Sequence, residues 1–362
     1  MADNRYYLTS SPHFSFNMST WKIMLSVIIA LLPECIYGTV IFGFRALLVI
    51  LTSVVSCVAF EAFFQFVTKQ KLVINNLSAV VSGIMLSLVL PPTVPFWLVV
   101  IAACVAMIVA KGLFGGIGSN VFNPALTGRA FLFISFPAKL GSAWLNPLNS
   151  GAVDAVSSAT VLSSIKNGLV SPETFDFSSY FFGNRSGCIG ETSILLILIS
   201  FALLALIHVV DWRAPLAMTG TVFALTFATY LAKGAGFTGA FLYGVMALFT
   251  GGLLFGAAFM VTDYATVPVT RPGRLVFGFG CGLITYLIRQ FGGYPEGVMF
   301  SILIMNTLTP FLNNLTVRKY GYGKKGNRRP ESAKINMEFD LKNARDIEIP
   351  SGLENQEGGK NV

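Results

Sequence analysis

Four stretches of this chain carry side chains whose types and spacing could do chemistry. In Asp154-Ala155-Val156-Ser157-Ser158-Ala159-Thr160, a carboxylate precedes three hydroxyls that could be esterified. The same residues also suit a turn, with Asp154 capping a helix that begins near Ala155. Gly112-Leu113-Phe114-Gly115-Gly116-Ile117-Gly118-Ser119-Asn120-Val121-Phe122-Asn123-Pro124 offers glycines, where backbone can approach a ligand or another helix closely, and the amides of Asn120 and Asn123. Arg129 could grip a phosphate bidentately. The acids Glu34, Glu61 and Asp263 complete the set, Asp263 beside Thr262, where a carboxylate, a hydroxyl and backbone carbonyls could hold a hard cation.

The elements that must position these residues are apolar and long. Over 362 residues, 54% are hydrophobic and only 12% charged, with mean hydropathy +0.69. Soluble domains carry about 25% charged residues, so the balance excludes an ordinary soluble domain. A spanning helix needs about 20 mostly apolar residues. Ten runs qualify as candidates: 21–43, 45–67, 75–90, 94–112, 122–136, 192–210, 214–232, 237–261, 273–291 and 295–313. The runs at 75–90 and 122–136 are short, and their Gly, Pro and Asn content suits re-entrant or broken helices. Residues 1–20 are polar and lack the apolar core of a removable signal.

In that setting the polar residues change meaning. Arg129 lies six residues into an apolar run, and positions 125, 126, 132 and 133 hold no acid. Its partner must therefore be distant in sequence or be a ligand phosphate, unless the side chain snorkels to the interface. Glu61 and Asp263 are candidate ion ligands, since intramembrane acids mark ion or proton paths. The alternative for Asp263 is a salt bridge to Arg271 or Arg274.

Charge placement gives an orientation. Arg318, Lys319, Lys324, Lys325, Arg328 and Arg329 follow the last run, which puts that end in the cytoplasm. Ten spans put both termini there and the 137–191 loop outside. Lys69, Lys71, Lys111, Arg213, Arg271 and Arg274 agree, whereas Arg45, Lys233 and Arg289 do not. The net charge of +8 is orientation signal rather than a nucleic-acid footprint. Cys35, Cys57, Cys104, Cys188 and Cys281 are scattered without a CxxC pair, so no iron–sulfur or zinc site is expected within the chain.

The chain divides into a cytoplasmic segment at 1–20, membrane repeats at 21–136 and 192–313, an outer loop at 137–191 and a polar tail at 314–362. Three short parallels support a repeat: 83–88 with 220–225, 112–116 with 253–257, and Thr127-Gly128-Arg129 with Pro272-Gly273-Arg274. Five spans per half make the two halves inverted in the membrane.

The stretch from Gly115 to Phe131 resembles the signature of the RnfD/NqrB family, membrane subunits of the Rnf ferredoxin:NAD+ oxidoreductase and of the Na+-translocating NADH:quinone reductase. Phe259-Met260-Val261-Thr262-Asp263 resembles the family's second-half motif, and Asp154 to Thr160 resembles its Asp-x-x-Ser/Thr-Gly-Ala-Thr loop. Resemblance runs from about His13 to about Asn313. Three positions depart from the pattern: Ser158 for Gly, Val161 for Pro and Tyr264 for Pro.

The resemblance implies an all-α polytopic membrane protein of ten helices in two inverted five-helix repeats, like urea or ammonium transporters. It implies FMN joined to Thr160 by a phosphoester, with Asp154, Ser157, Ser158, Gly115, Gly116, Asn120, Asn123 and Arg129 around flavin, and a second, noncovalent flavin such as riboflavin. The partners it implies are a flavin transferase of the ApbE type, an FMN-bearing outer subunit, an NADH-binding subunit, iron–sulfur membrane subunits, membrane lipids, and Na+ or H+ passing by Asp263, Thr262 and Glu61. The setting is a bacterial inner membrane. A permease or channel of the same architecture, or a scaffold holding partner subunits, would lack flavin.

Overall fold

The computed structural model describes residues 19–141, 172–292 and 297–316. The Asp154–Thr160 motif and the basic run after Thr316 lie outside them. Among the described residues there are helices and turns and no strand.

The first helix, α1 (Thr20–Phe42), begins where the Ser19 side chain accepts the Lys22 backbone N–H. It shows two faces. Ile29, Leu32, Ile36 and Val40 stay exposed at three- and four-residue spacing, while Leu31, Glu34, Cys35, Gly38 and Phe42 turn inward. An exposed stripe of this kind is what lipid would cover, and burial inside the protein accounts only for the other face. α2 (Phe44–Val67) follows after Gly43.

α3 (Ser78–Leu88) and α5 (Pro124–Ser135) are short, as their Gly, Pro and Asn content implied. Between them α4 (Phe96–Cys104) continues as a π-helix over Val105–Gly112. After the short α6 (Pro137–Gly141), the description resumes at residue 172 and reaches α7 (Phe177–Phe182). The second set comprises α8 (Ile194–Leu206), α9 (Arg213–Ala232), α10 (Gly236–Phe249), α11 (Leu253–Phe255), α12 (Arg271–Phe291) and α13 (Val298–Thr316).

Among the described residues, four helices, α1, α2, α9 and α13, are long and apolar enough to cross a membrane. A fifth span exists if α10 and α11, with the π-helix Gly256–Met260 that extends α11, count as one broken unit bent by 65°. The continuous run expected at 237–261 is thus interrupted. Gly251 and Gly252 both take positive φ, 66° and 62°, which admits the sharp bend.

Glycine also sets the helix spacing. A Cβ at Gly128 would lie 2.6 Å from the Ala102 carbonyl oxygen, and one at Gly282 would lie 2.7 Å from that of Met218. Helices therefore approach to backbone contact, as small residues allow where no hydrophobic drive separates lipid from protein. Packing order is similar in the two sets: α2 packs on α3 and α4, and α4 on α5, while α9 packs on α10 and α12, and α12 on α13. By that order Thr127-Gly128-Arg129 lies on a fifth helix and Pro272-Gly273-Arg274 on a fourth. That short sequence parallel does not pair equivalent elements.

The end of the expected outer loop is not an exposed connection. Arg185, Ser186, Cys188, Ile189 and Glu191 are buried. The Ile189 N–H donates to the Leu90 carbonyl at 3.2 Å. This stretch is a wedge between the helix sets.

The cations that contradicted the orientation rule have local tasks. Arg45 donates to the Pro92 and Thr93 carbonyls at 3.1 and 2.8 Å. Lys233 sits over the Tyr230 ring, 4.9 Å from its centroid. Arg289 donates to the Ala247 and Thr250 carbonyls at 2.7 and 2.9 Å. These carbonyls close α10 at its break, the negative end of the helix. Lys111, which had agreed with the rule, is buried in an ion pair and is no surface charge either.

Candidate functional site

A cavity of about 100 Å³ opens among α1, α3, the 112–124 turn, the end of α8 and the turn after Met260. Asn120, Asn123, Lys111, Ser78, Thr262 and Asp263 give it polar groups, and Met24, Val81, Met85 and Phe259 are among its apolar walls. The motifs from the two halves of the sequence, far apart in the chain, meet here.

The 112–124 turn is built by glycines. Gly115, Gly116 and Gly118 have φ of 106°, 89° and 82°, a region other residues avoid. Gly115 and Gly116 shape the turn without lining the cavity, whereas Gly118 reaches it. The Asn120 side-chain oxygen is buried without a hydrogen-bond partner.

Asn123 ties three elements together. Its side-chain oxygen caps α5, accepting from the Ala125 and Leu126 N–H groups at 3.0 and 3.3 Å. Its amide nitrogen lies 3.7 Å from the Met260 sulfur at the end of the second π-helix. With the Asn306 amide turned to satisfy both its groups, Asn306 on α13 accepts the Asn123 backbone N–H at 3.2 Å.

Opposite, the Thr262 hydroxyl donates back to the Ala258 carbonyl at 2.7 Å. Asp263 accepts the Ala265 N–H at 3.3 Å and the Thr266 hydroxyl at 3.5 Å. Asp263 does not bridge to Arg274. That guanidinium goes to Asp211 at 2.6 Å, which also takes Arg213 at 2.8 Å. At Asp211, in the α8–α9 connection, burial favours the neutral acid. The Arg213 backbone N–H and the two guanidiniums outweigh it and hold the carboxyl below its usual range.

Glu61 stands behind the cavity wall. Lys111 Nζ lies 2.7 Å from Glu61 Oε1 and donates to the Ser78 hydroxyl at 2.6 Å. Lys111 is 3% exposed and Glu61 6%. The second Glu61 oxygen is buried without a partner. An apolar run of nineteen residues ending in Lys-Gly, 94–112, carried the signal: an intramembrane cation needs a carboxylate, and Glu61 was available.

Arg129 is placed elsewhere, outside the cavity lining. Its partner is distant in sequence: Glu191, with Nη1 3.7 Å from Oε1. Nη2 lies 3.7 Å from the Cys188 sulfur. Glu191 in turn abuts Gly252, so a Cβ there would collide with its carboxylate. Arg185 donates to the Glu191 carbonyl and, at 2.7 Å, to that of Phe249. The broken helix α10–α11 is thereby furnished with arginines at the negative end of α10 and a carboxylate at the positive end of α11. Glu191, Arg185 and Arg289 could not be placed from sequence, because their partners are carbonyls and charges more than thirty residues away or hidden in a loop.

Apolar helices, one of them broken, around a largely apolar cavity that carries a few polar and charged groups define a membrane-embedded protein with a built-in site. The family is specific: the NQR2, RnfD, RnfE family profile matches residues 7–321, and the chain belongs to that family. Its relatives are RnfD-type subunits of ion-translocating oxidoreductase complexes. It is 41% identical, over 86% of this chain and 95% of the relative, to the one from the proton-translocating ferredoxin:NAD(+) oxidoreductase complex of Clostridium ljungdahlii. It is 40% identical, over 88% and 96%, to the one from the Na(+)-translocating ferredoxin:NAD(+) oxidoreductase complex of Acetobacterium woodii. To its counterpart in the ion-translocating oxidoreductase complex of Stutzerimonas stutzeri it is 35% identical over 85% and 94%.

Proposed function

We propose that this chain is the electron-carrying RnfD-type subunit of an ion-translocating ferredoxin:NAD+ oxidoreductase. In this reading it carries FMN on Thr160, attached by a separate flavin transferase. The observation that carries the reading is the family match over 7–321, together with relatives that are named as subunits of such complexes. Bound flavin supplies one- and two-electron carrying capacity; the protein supplies position, water exclusion and compensating charge.

Thr160 lies outside the described residues. A noncovalent second flavin and the role of Arg129 toward a flavin phosphate belong to the same reading.

Coupling is assigned to the cavity. Its walls bring one ammonium, Lys111, and one carboxylate, Asp263, with Glu61 behind the wall on Lys111 and the Thr262 hydroxyl and the orphaned Asn120 oxygen nearby. With all three charged, the site is one negative charge in excess and accepts one Na+ or one proton. An electron entering a low-dielectric interior favours that uptake, because unpaired charge there is costly. The remaining architecture follows the family: ten spans in two inverted sets of five, both termini cytoplasmic, and partner subunits carrying FMN, iron–sulfur clusters and the NADH site.

The test is co-expression with a flavin transferase and a denaturing gel viewed under ultraviolet light. A fluorescent band at the size of this chain is expected. A dark band beside a flavinylated control protein would return the chain to the permease or scaffold reading.

A further inference from the structure

Glu34 takes no part in the cavity or in its ion pair. It lies on α1, a helix long and apolar enough to cross a membrane, directly after Pro33. It is 2% exposed, and neither of its carboxylate oxygens has a hydrogen-bond partner. α8 packs against α1 and presents Ser200, also 2% exposed, whose hydroxyl likewise makes no hydrogen bond. The Ser200 hydroxyl is within electrostatic reach of the Glu34 carboxyl without being in hydrogen-bonding geometry.

The charged groups on the elements around it are committed elsewhere. Glu61 on α2 is paired with Lys111, and Glu191 in the 189–191 turn is paired with Arg129. Arg45 at the start of α2 is held by the Pro92 and Thr93 carbonyls. On its own helix the titratable neighbours are the Cys35 thiol and Tyr37, whose hydroxyl donates to the Phe182 carbonyl; neither is a cation, and Lys22 sits more than three turns toward the helix N-terminus. No cation is therefore supplied to Glu34 by α1, α2, α3, α8 or the 189–191 turn among the described residues. A carboxylate without counter-charge in such surroundings binds a proton instead.

We propose that Glu34, facing Ser200 across the α1–α8 interface, is a proton-binding site inside the membrane, separate from the Asp263 cavity. The resting form is the neutral acid. When the proton leaves, a small rotation lets the Ser200 hydroxyl donate to the carboxylate, so Ser200 acts as the positioning residue that makes release possible. The balance is simple: one O–H bond breaks, and one proton passes to water or to a partner group.

A lipophilic carbodiimide partitions into the membrane phase and modifies protonated carboxyls buried there. Membranes holding the full chain should give an N-acylurea adduct on the Glu34 peptide at neutral pH, lost in Glu34→Gln. Raising the pH should suppress the adduct, and Ser200→Ala should move that suppression to higher pH. In Glu34→Gln, which keeps size and shape, infrared spectra should also lose one protonated-carboxyl band that shifts in heavy water. Protection from the reagent by added NaCl, but not by KCl at equal ionic strength, would replace the proton with a sodium ion and overturn the proposal. An unmodified Glu34 with an unchanged infrared spectrum in Glu34→Gln would overturn it outright.

Discussion

Arg129 on α5 and Glu191, just before α8, form a buried ion pair at 3.7 Å, and Glu191 lies against Gly252 at the break in α10–α11. One contact thus joins both halves of the chain and the wedge between them. Removing either partner strands the other charge, at a cost of about 3–5 kcal/mol. Arg129→Leu and Glu191→Leu should each lower the thermal midpoint of the detergent-solubilised protein sharply. The double replacement should recover a large part of the loss, because neither charge is then unpaired. If Arg129 also serves a flavin phosphate, as proposed, Arg129→Leu alone should lower flavin content in the fraction that still assembles. Equal and additive losses in the double variant would mean that the two groups are not coupled.

Thr160→Ala should abolish covalent flavin while leaving the chain in the membrane. Mass spectrometry of the tryptic peptide checks it, and Ser157→Ala and Ser158→Ala should keep the adduct. An FMN-sized mass on the Thr160→Ala peptide would move the attachment to a neighbouring hydroxyl.

A cysteine at Glu173, in a chain carrying Cys188→Ser, should react with an impermeant maleimide added to intact cells. Glu173 is exposed and Cys188 is buried beside Arg129, so the engineered thiol reports without competition from Cys188. Labelling only after lysis would invert the orientation.

Asp263→Ala should impair cation-dependent turnover of the assembled complex with Thr160 still flavinylated. Glu61→Gln leaves Lys111 as an unpaired ammonium on the cavity wall and should raise the cation concentration needed for half-maximal rate. Turnover and cation dependence like those of the parent in a well-assembled Asp263→Ala complex would remove Asp263 from the ion path.

Asp211 gives a pH prediction away from the membrane interior. Its carboxyl is held below the usual range in the fold, so it contributes stability above its unfolded pKa of about 3.9. That contribution is lost as pH falls through the lower folded value. Asp211→Asn should therefore reduce the thermal midpoint at neutral pH, and the difference from the parent should shrink under acid. A difference independent of pH would show that packing, not charge, is responsible.

Much of the helical layout was legible because apolar runs reveal themselves by length. Each of the ten runs overlaps helix in the described residues, and four of those helices, or five with the broken unit, are long and apolar enough to cross a membrane. The interruption at Gly251–Gly252 was not, since two glycines in an apolar run suit close packing equally well. Site residues split the same way. Asn120, Asn123, Thr262 and Asp263 were visible as polar groups in conspicuous motifs, and they share one cavity. Lys111 was misread as a boundary charge because a lysine near a helix end usually is one. Glu191 looked like loop acid until the fold carried it inward to Arg129. A charge count cannot see backbone carbonyls, which is why Arg45 and Arg289 looked like violations of orientation rather than caps.

The two π-helical stretches, Val105–Gly112 and Gly256–Met260, have a genetic corollary. Each hydrogen bond there spans one residue more than in an α-helix, as Leu113 N–H to the Ile108 carbonyl and Val261 N–H to the Gly256 carbonyl show. Such a stretch behaves as a helix with a single surplus residue. Deleting one codon within 105–110 would remove that surplus and let the helix relax to regular winding, with Lys111 still turned to Glu61 and the glycine turn still delivering Asn120 and Asn123 to the cavity. The same deletion in the regular helix α1 would rotate everything after it by about 100°. A one-codon deletion should thus be tolerated far better in 105–110 than in α1.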